Sequence, residues 1–82
     1  MADKIGVIEN FFAKINVGVL HVTSGELSLN DTISIKGSTT DITMTVNSMQ
    51  IDRKDVELVK TGEKVGLKVP ERVRPGDEVF KE

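Results

Sequence analysis

The longest stretch written in a single strand code runs from Thr40 to Asp52, and it contains a break in phase. Ile42, Met44 and Val46 alternate with polar residues and face one side of an extended chain. Met49 and Ile51 lie an odd number of positions further on, so unbroken alternation would turn them to the opposite face. One extra residue near Asn47-Ser48 restores them. This predicts a β-bulge that bends the strand and lets one long element serve two sides of a small closed sheet.

The same alternation organises the rest of the chain. Lys4 to Phe12 predicts a first strand of ambiguous phase: either Ile5 and Val7 or Ile8 and Phe12 face inward, and a second bulge or strong coiling near Glu9 reconciles them. Val17 to Val22 predicts its hairpin partner, with a reversal at Thr23-Ser24-Gly25-Glu26. Leu27, Leu29, Ile33 and Ile35 keep odd spacing through Leu27 to Lys36, interrupted at Asn30-Asp31, a pair suited to positive φ. Arg53 to Lys60 reads as an extended or single-turn linker, since Val56 and Val59 disfavour helix. Val65, Leu67 and Val69 form a half-buried strand closed by Pro70. Arg74-Pro75-Gly76-Asp77 predicts a type II turn before a terminal strand that starts at Val79 and Phe80.

An acidic or amide turn followed by alternating hydrophobics occurs three times, at Asn30-Asp31, Gly62-Glu63 and Gly76-Asp77. Short strands at such spacing, with no convincing helix, predict an all-β barrel in one domain over residues 1–82. The 82 residues include no Cys, so burial alone holds the fold, with a stability of about 4–12 kcal/mol. No apolar run approaches the length of a membrane span, and Met1-Ala2-Asp3-Lys4 lacks the basic and apolar regions of a leader, so a cytoplasmic protein is expected. Net charge is −2, which argues against general nucleic-acid binding through phosphate neutralisation. The second half is slightly basic, with eight bases against seven acids from Arg53 onward.

Catalytic signatures are scarce. His21 is the sole histidine, which excludes a multi-histidine metal site, and a satisfied strand histidine outweighs a working base. Asp52, Asp55 and Glu57 fail the spacing of a calcium loop. Neither a Gly-x-Ser-x-Gly elbow nor a phosphate-binding P-loop occurs. These readings predict no enzyme activity, no cofactor and no metal. Of three phenylalanines, Phe11 and Phe12 are adjacent, so their side chains diverge in a strand, and Phe11 is the candidate for an exposed, functional ring.

Three segments, Gly25 to Ile35, Val46 to Ile51 and Val59 to Leu67, together resemble the second domain of translational GTPases of the elongation factor Tu and elongation factor 1-alpha type. The chain is similar, more closely still, to small free-standing elongation-factor-like proteins and to the C-terminal barrel of collagenase-like peptidase relatives that act in RNA modification. The resemblance implies a small six-stranded antiparallel β-barrel, closed or nearly closed, that binds and does not turn over substrate. It implies a site at Gln50, where the elongation factors place an acidic residue near the terminal adenosine of aminoacyl-tRNA. The loop Phe11 to Asn16 departs from the glycine-rich loop of the GTPases, and Asn30 stands where their pattern has Gly.

The expected function is therefore a non-enzymatic, monomeric binding module for tRNA, rRNA or the translation or RNA-modification machinery, built on Gln50, Arg53 and Lys54. Lys14, Lys68, Arg72 and Arg74 are weaker additions. The alternative is a protein-docking subunit for a larger enzyme or GTPase, anchored by Phe11.

Overall fold

The structure, a computed structural model, describes residues 3–82. Met1 and Ala2, part of the segment read as lacking a leader, lie outside them. All regular structure among the described residues is antiparallel strand: β1 (Asp3–Phe12), β2 (Val17–Val22), β3 (Glu26–Ser28), β4 (Thr32–Lys36), β5 (Asp41–Thr45), β6 (Met49–Ile51), β7 (Lys54–Asp55), β8 (Leu58–Lys60), β9 (Lys64–Lys68) and β10 (Glu78–Lys81). Eight of them form one sheet in the order β5-β4-β10-β1-β2-β9-β6-β7, and β3 pairs with β8 in a separate ribbon. The all-β antiparallel prediction holds. The strand count differs from six, and the sheet is open, because its outer strands β5 and β7 do not pair with each other.

The extra strands arise where long predicted elements break. Leu27 to Lys36 divides at Asn30, which takes φ 72°. Thr40 to Asp52 divides into β5 and β6, with Asn47 and Ser48 exposed between them. The kink does what the phase break demands, since Ile42, Val46 and Met49 are all buried and Ile51 packs against the same core. It is a gap between two ladders: β5 pairs with β4, whereas Met49 pairs with Leu67 of β9. The linker expected at 53–60 instead holds β7 and β8, because Val59 is fully buried opposite Leu27. Strands of two or three residues are too short to leave a periodic signal.

In β1 the pairing with β2 shifts between Ile8 and Asn10, so the irregularity expected near Glu9 is present, and a second shift against β10 falls between Lys4 and Gly6. Two bulges in one strand bring Ile5 and Ile8 into the core and Phe11 partly against it. Gly6 lies where the shifted chains approach closely, and a Cβ there would overlap the His21 carbonyl oxygen.

The three repeated turns share one geometry. Ser28, Lys60 and Arg74 each donate their N–H to a carboxylate three residues on: Asp31 Oδ2 at 2.8 Å, Glu63 Oε1 at 2.9 Å and Asp77 Oδ2 at 2.9 Å. Each acid's own N–H returns to the carbonyl of that first residue, at 3.2, 3.1 and 3.1 Å. The third turn position has positive φ throughout, at Asn30, Gly62 and Gly76. This is the type II arrangement, with the acid occupying a donor that the turn leaves open.

Asp31 adds an ion pair to Lys81, 3.1 Å away. Burial pushes its carboxyl up, but the Ser28 N–H and the Lys81 ammonium outweigh burial and hold it below its ordinary 3.8. A depressed folded value means that protonation favours the unfolded chain. Stability is therefore expected to be flat above about pH 5 and to fall as pH drops through the folded value, and Asp31→Asn is expected to flatten part of that fall in urea titrations at several pH values. Gly6→Ala is expected to cost roughly 3 kcal/mol in the same measurement, because backbone stands in the way of the added methyl. An unchanged midpoint would show that the two strands can slide apart.

Candidate functional site

The β6–β7 hairpin closes through a two-residue loop, Asp52-Arg53, between the paired residues Ile51 and Lys54. Both loop residues have positive φ, 53° and 66°, the type I′ geometry that suits the twist of a hairpin and is normally filled by Asn and Gly. A side chain in this region costs about 1 kcal/mol, and Arg53 carries that strain at an exposed position. Across the hairpin, Gln50 Nε2 donates to Asp55 Oδ1 at 3.0 Å, which engages one of the two N–H groups of the amide expected to read a base.

Gln50 and Arg53 line a groove of about 490 Å³ whose apolar wall comes from the β1–β2 hairpin, chiefly Phe12, Ile15 and Val19. Phe12 is 48 % exposed and Ile15 is 60 % exposed. The exposed member of the phenylalanine pair is thus Phe12, while Phe11 is half-buried and packs on the core. The reason is the bulge at Glu9, which reverses the parity of the residues after it. Sequence reasoning missed Phe12 and Ile15. Phe12 was discoverable from the phase conflict in β1, whereas Ile15 lies in a turn where alternation carries no information.

The remaining candidates scatter. Lys54 is exposed on β7, and Lys14 is exposed in the β1–β2 turn. Arg74 is exposed, with its backbone N–H held by Asp77. Arg72 lines a cleft with Glu71 and Thr39 to Ile42, and Lys68 lines another with Met44, Val69 and Pro70. Of the predicted residues, only Gln50 and Arg53 meet in the first groove. At its margin Glu9 lies between His21 and Lys64, with Oε2 3.3 Å from His21 Nδ1 and Oε1 3.1 Å from Lys64 Nζ. Among the described residues, no group of three or more His, Cys, Asp or Glu stands together as a metal site would require. No helix of the described residues is long and apolar enough to cross a membrane.

The chain is 44 % identical over 78 residues, 94 % of its length, to an uncharacterized protease of Methanocaldococcus jannaschii. It is 31 % identical over 72 residues to a collagenase of Porphyromonas gingivalis. It spans only 19 % and 20 % of those two relatives. Its fold is that of the C-terminal domain of a Geobacillus thermoleovorans putative U32 peptidase, with a TM-score of 0.89 over 98 % of this chain and 92 % of that one, at 12 % identity. No protein-family model matches the sequence.

The relatives are peptidases by name. The collagenase-like half of the resemblance is supported, and the elongation-factor identity is not. The expected RNA-binding or docking module of the translation machinery is overturned by the same relatives, none of which is a translation factor. The expectation of a non-enzymatic chain is corrected with it, since the sequences it resembles carry the names protease and collagenase. The motifs misled because short strands begun by acid-capped turns recur wherever small β-sheets are built from such turns, whatever they bind.

Replacing Arg53 with Gly is expected to stabilise the chain by about 1 kcal/mol in urea unfolding, by relieving the left-handed backbone at that position. A loss of stability would mean that the Arg53 side chain makes a contact worth more than its strain.

Proposed function

We propose that this chain serves proteolysis, as the small β-domain of a peptidase of the collagenase-like, U32 kind, and that its part is to engage the polypeptide being processed. The observation that carries this reading is the 44 % identity with a named protease across 94 % of the chain. The shared fold with a peptidase C-terminal domain is in keeping with it. The surface is consistent with a polypeptide ligand: an apolar groove with Phe12 and Ile15 open to solvent, edged by Gln50 and Arg53, takes up apolar side chains and adjacent amides.

Binding of this kind depends on apolar contact and backbone hydrogen bonds, so it responds little to salt. Fluorescein-labelled gelatin and carboxymethylated casein, titrated with the whole chain, are expected to rise in anisotropy and to change affinity by less than about threefold between low and physiological salt. Absence of binding to either polypeptide would overturn the proposal.

A further inference from the structure

The two ends of the open sheet differ. β7 is a two-residue strand of Lys54 and Asp55, short and charged in the way that guards an edge against pairing. β5 has five residues, Asp41, Ile42, Thr43, Met44 and Thr45, with one charge and no Pro, and is unguarded.

Its free hydrogen-bonding groups follow from its pairing. Gly37 and Thr40 exchange both N–H bonds at the turn into β5, at 2.8 and 3.4 Å, and at the far end Val46 N–H donates to the Asp31 carbonyl at 2.9 Å. In an antiparallel ladder the bonded residues alternate, so the even positions of β5 face β4, and Asp41, Thr43 and Thr45 direct N–H and C=O away from it. All three are exposed. Lys68, Val69 and Pro70 share a cleft of about 340 Å³ with Met44 and Thr45 at one end of β5, and Glu71 and Arg72 share one of about 270 Å³ with Asp41 and Ile42 at the other. Among the described residues no backbone hydrogen bond crosses that seam. The segment 68–72 is unable to supply a ladder, because Pro70 has no N–H and the Val69 N–H is bound to the Asn16 carbonyl at 2.9 Å.

From this we infer that the free edge of β5 accepts one extended segment of a polypeptide as an added antiparallel strand. The ligand class follows from complementarity: three outward N–H and C=O pairs at alternate residues match an extended backbone. Charge selects its side chains. Lys68 is the one charged residue at the cleft beside Met44 and Thr45, and Asp41 with Glu71 outnumbers Arg72 at the other, so the fitting strand carries an acid at its N-terminal end and a base at its C-terminal end. Positions opposite Ile42 and Met44 turn toward the seam and take apolar residues. This deepens the reading of a polypeptide-engaging peptidase domain and rests on it.

The probe is the capped peptide Glu-Val-Thr-Val-Lys, with a twin N-methylated at its Thr, titrated into labelled protein with amide shifts and exchange as readout. The unmodified peptide is expected to shift the amides of Asp41, Thr43 and Thr45 and slow their exchange about tenfold, while the twin binds at least about tenfold more weakly, the loss of one to two hydrogen bonds. Thr43→Pro, a substitution an edge strand tolerates, is expected to weaken the peptide by a similar factor with other amide shifts unchanged. Equal binding of the twin, or no shift at these amides, overturns the inference even if Thr43→Pro fails to fold. Shifts at the same amides on concentrating the protein alone assign the edge to a second copy and also overturn it. Gelatin or casein binding with these amides unmoved sinks the β5 edge while leaving the peptidase reading intact, and absence of all polypeptide binding sinks that reading.

Discussion

A backbone N–H that leaves a ladder must find an oxygen, and the way this chain meets that demand shapes everything else in it. Ten strands averaging fewer than five residues enclose one core, so the backbone leaves a ladder often. The answer recurs at Asp31, Glu63 and Asp77, where a carboxylate three residues on takes the donor that the turn exposes. Asp77, at 5 % exposure the most buried of the three, also lies against Gly37, whose missing side chain leaves it room. These turns launch β4, β9 and β10, strands from all parts of the main sheet.

Core composition follows from the same shortness. The buried apolar set is entirely aliphatic apart from Met49, with sixteen members from Ile5 to Val79 and no aromatic ring. Branched aliphatic residues suit a narrow, strongly coiled interior, because each fills space close to its own backbone and favours extended geometry. Phenylalanine is displaced outward: Phe11 and Phe80 are half-buried and Phe12 is exposed.

Much of this fold was legible because it was written in parity. The odd step between Val46 and Met49 and the conflicting phases of Ile5, Val7 and Ile8 each signal a displaced residue, and the chain has irregularities at both places. Where parity is silent, reading failed. Lys54–Asp55 and Leu58–Lys60 are strands only because Gln50, Ile51, Leu27 and Val59 find partners across the fold, which no local pattern records. Of the residues lining the candidate groove, only Gln50 and Arg53 were named from the sequence, and one N–H of the Gln50 amide is engaged by Asp55. The elongation-factor half of the resemblance erred for a related reason: turn chemistry identifies how strands begin and not what the sheet binds.

Filling the core and closing the sheet compete at one point. After Val46 the chain abandons β4 and crosses to β9, which carries Met49 inside opposite Leu67. A straight continuation would have extended the β4–β5 ladder and turned Met49 to water, a loss of about 2 kcal/mol of apolar burial. The crossing leaves the outer edge of β5 facing a segment that holds Pro70 and spends the Val69 N–H on Asn16. Closure there would require three outward residues of β5 to find donors and acceptors that the neighbouring chain does not offer. Water satisfies an exposed edge at little net cost, whereas a buried Met49 has no substitute, so the core wins and the seam stays open. The opening is therefore built in by the same kink that completes the interior, and an edge left free for that reason keeps its full hydrogen-bonding capacity for a strand from elsewhere.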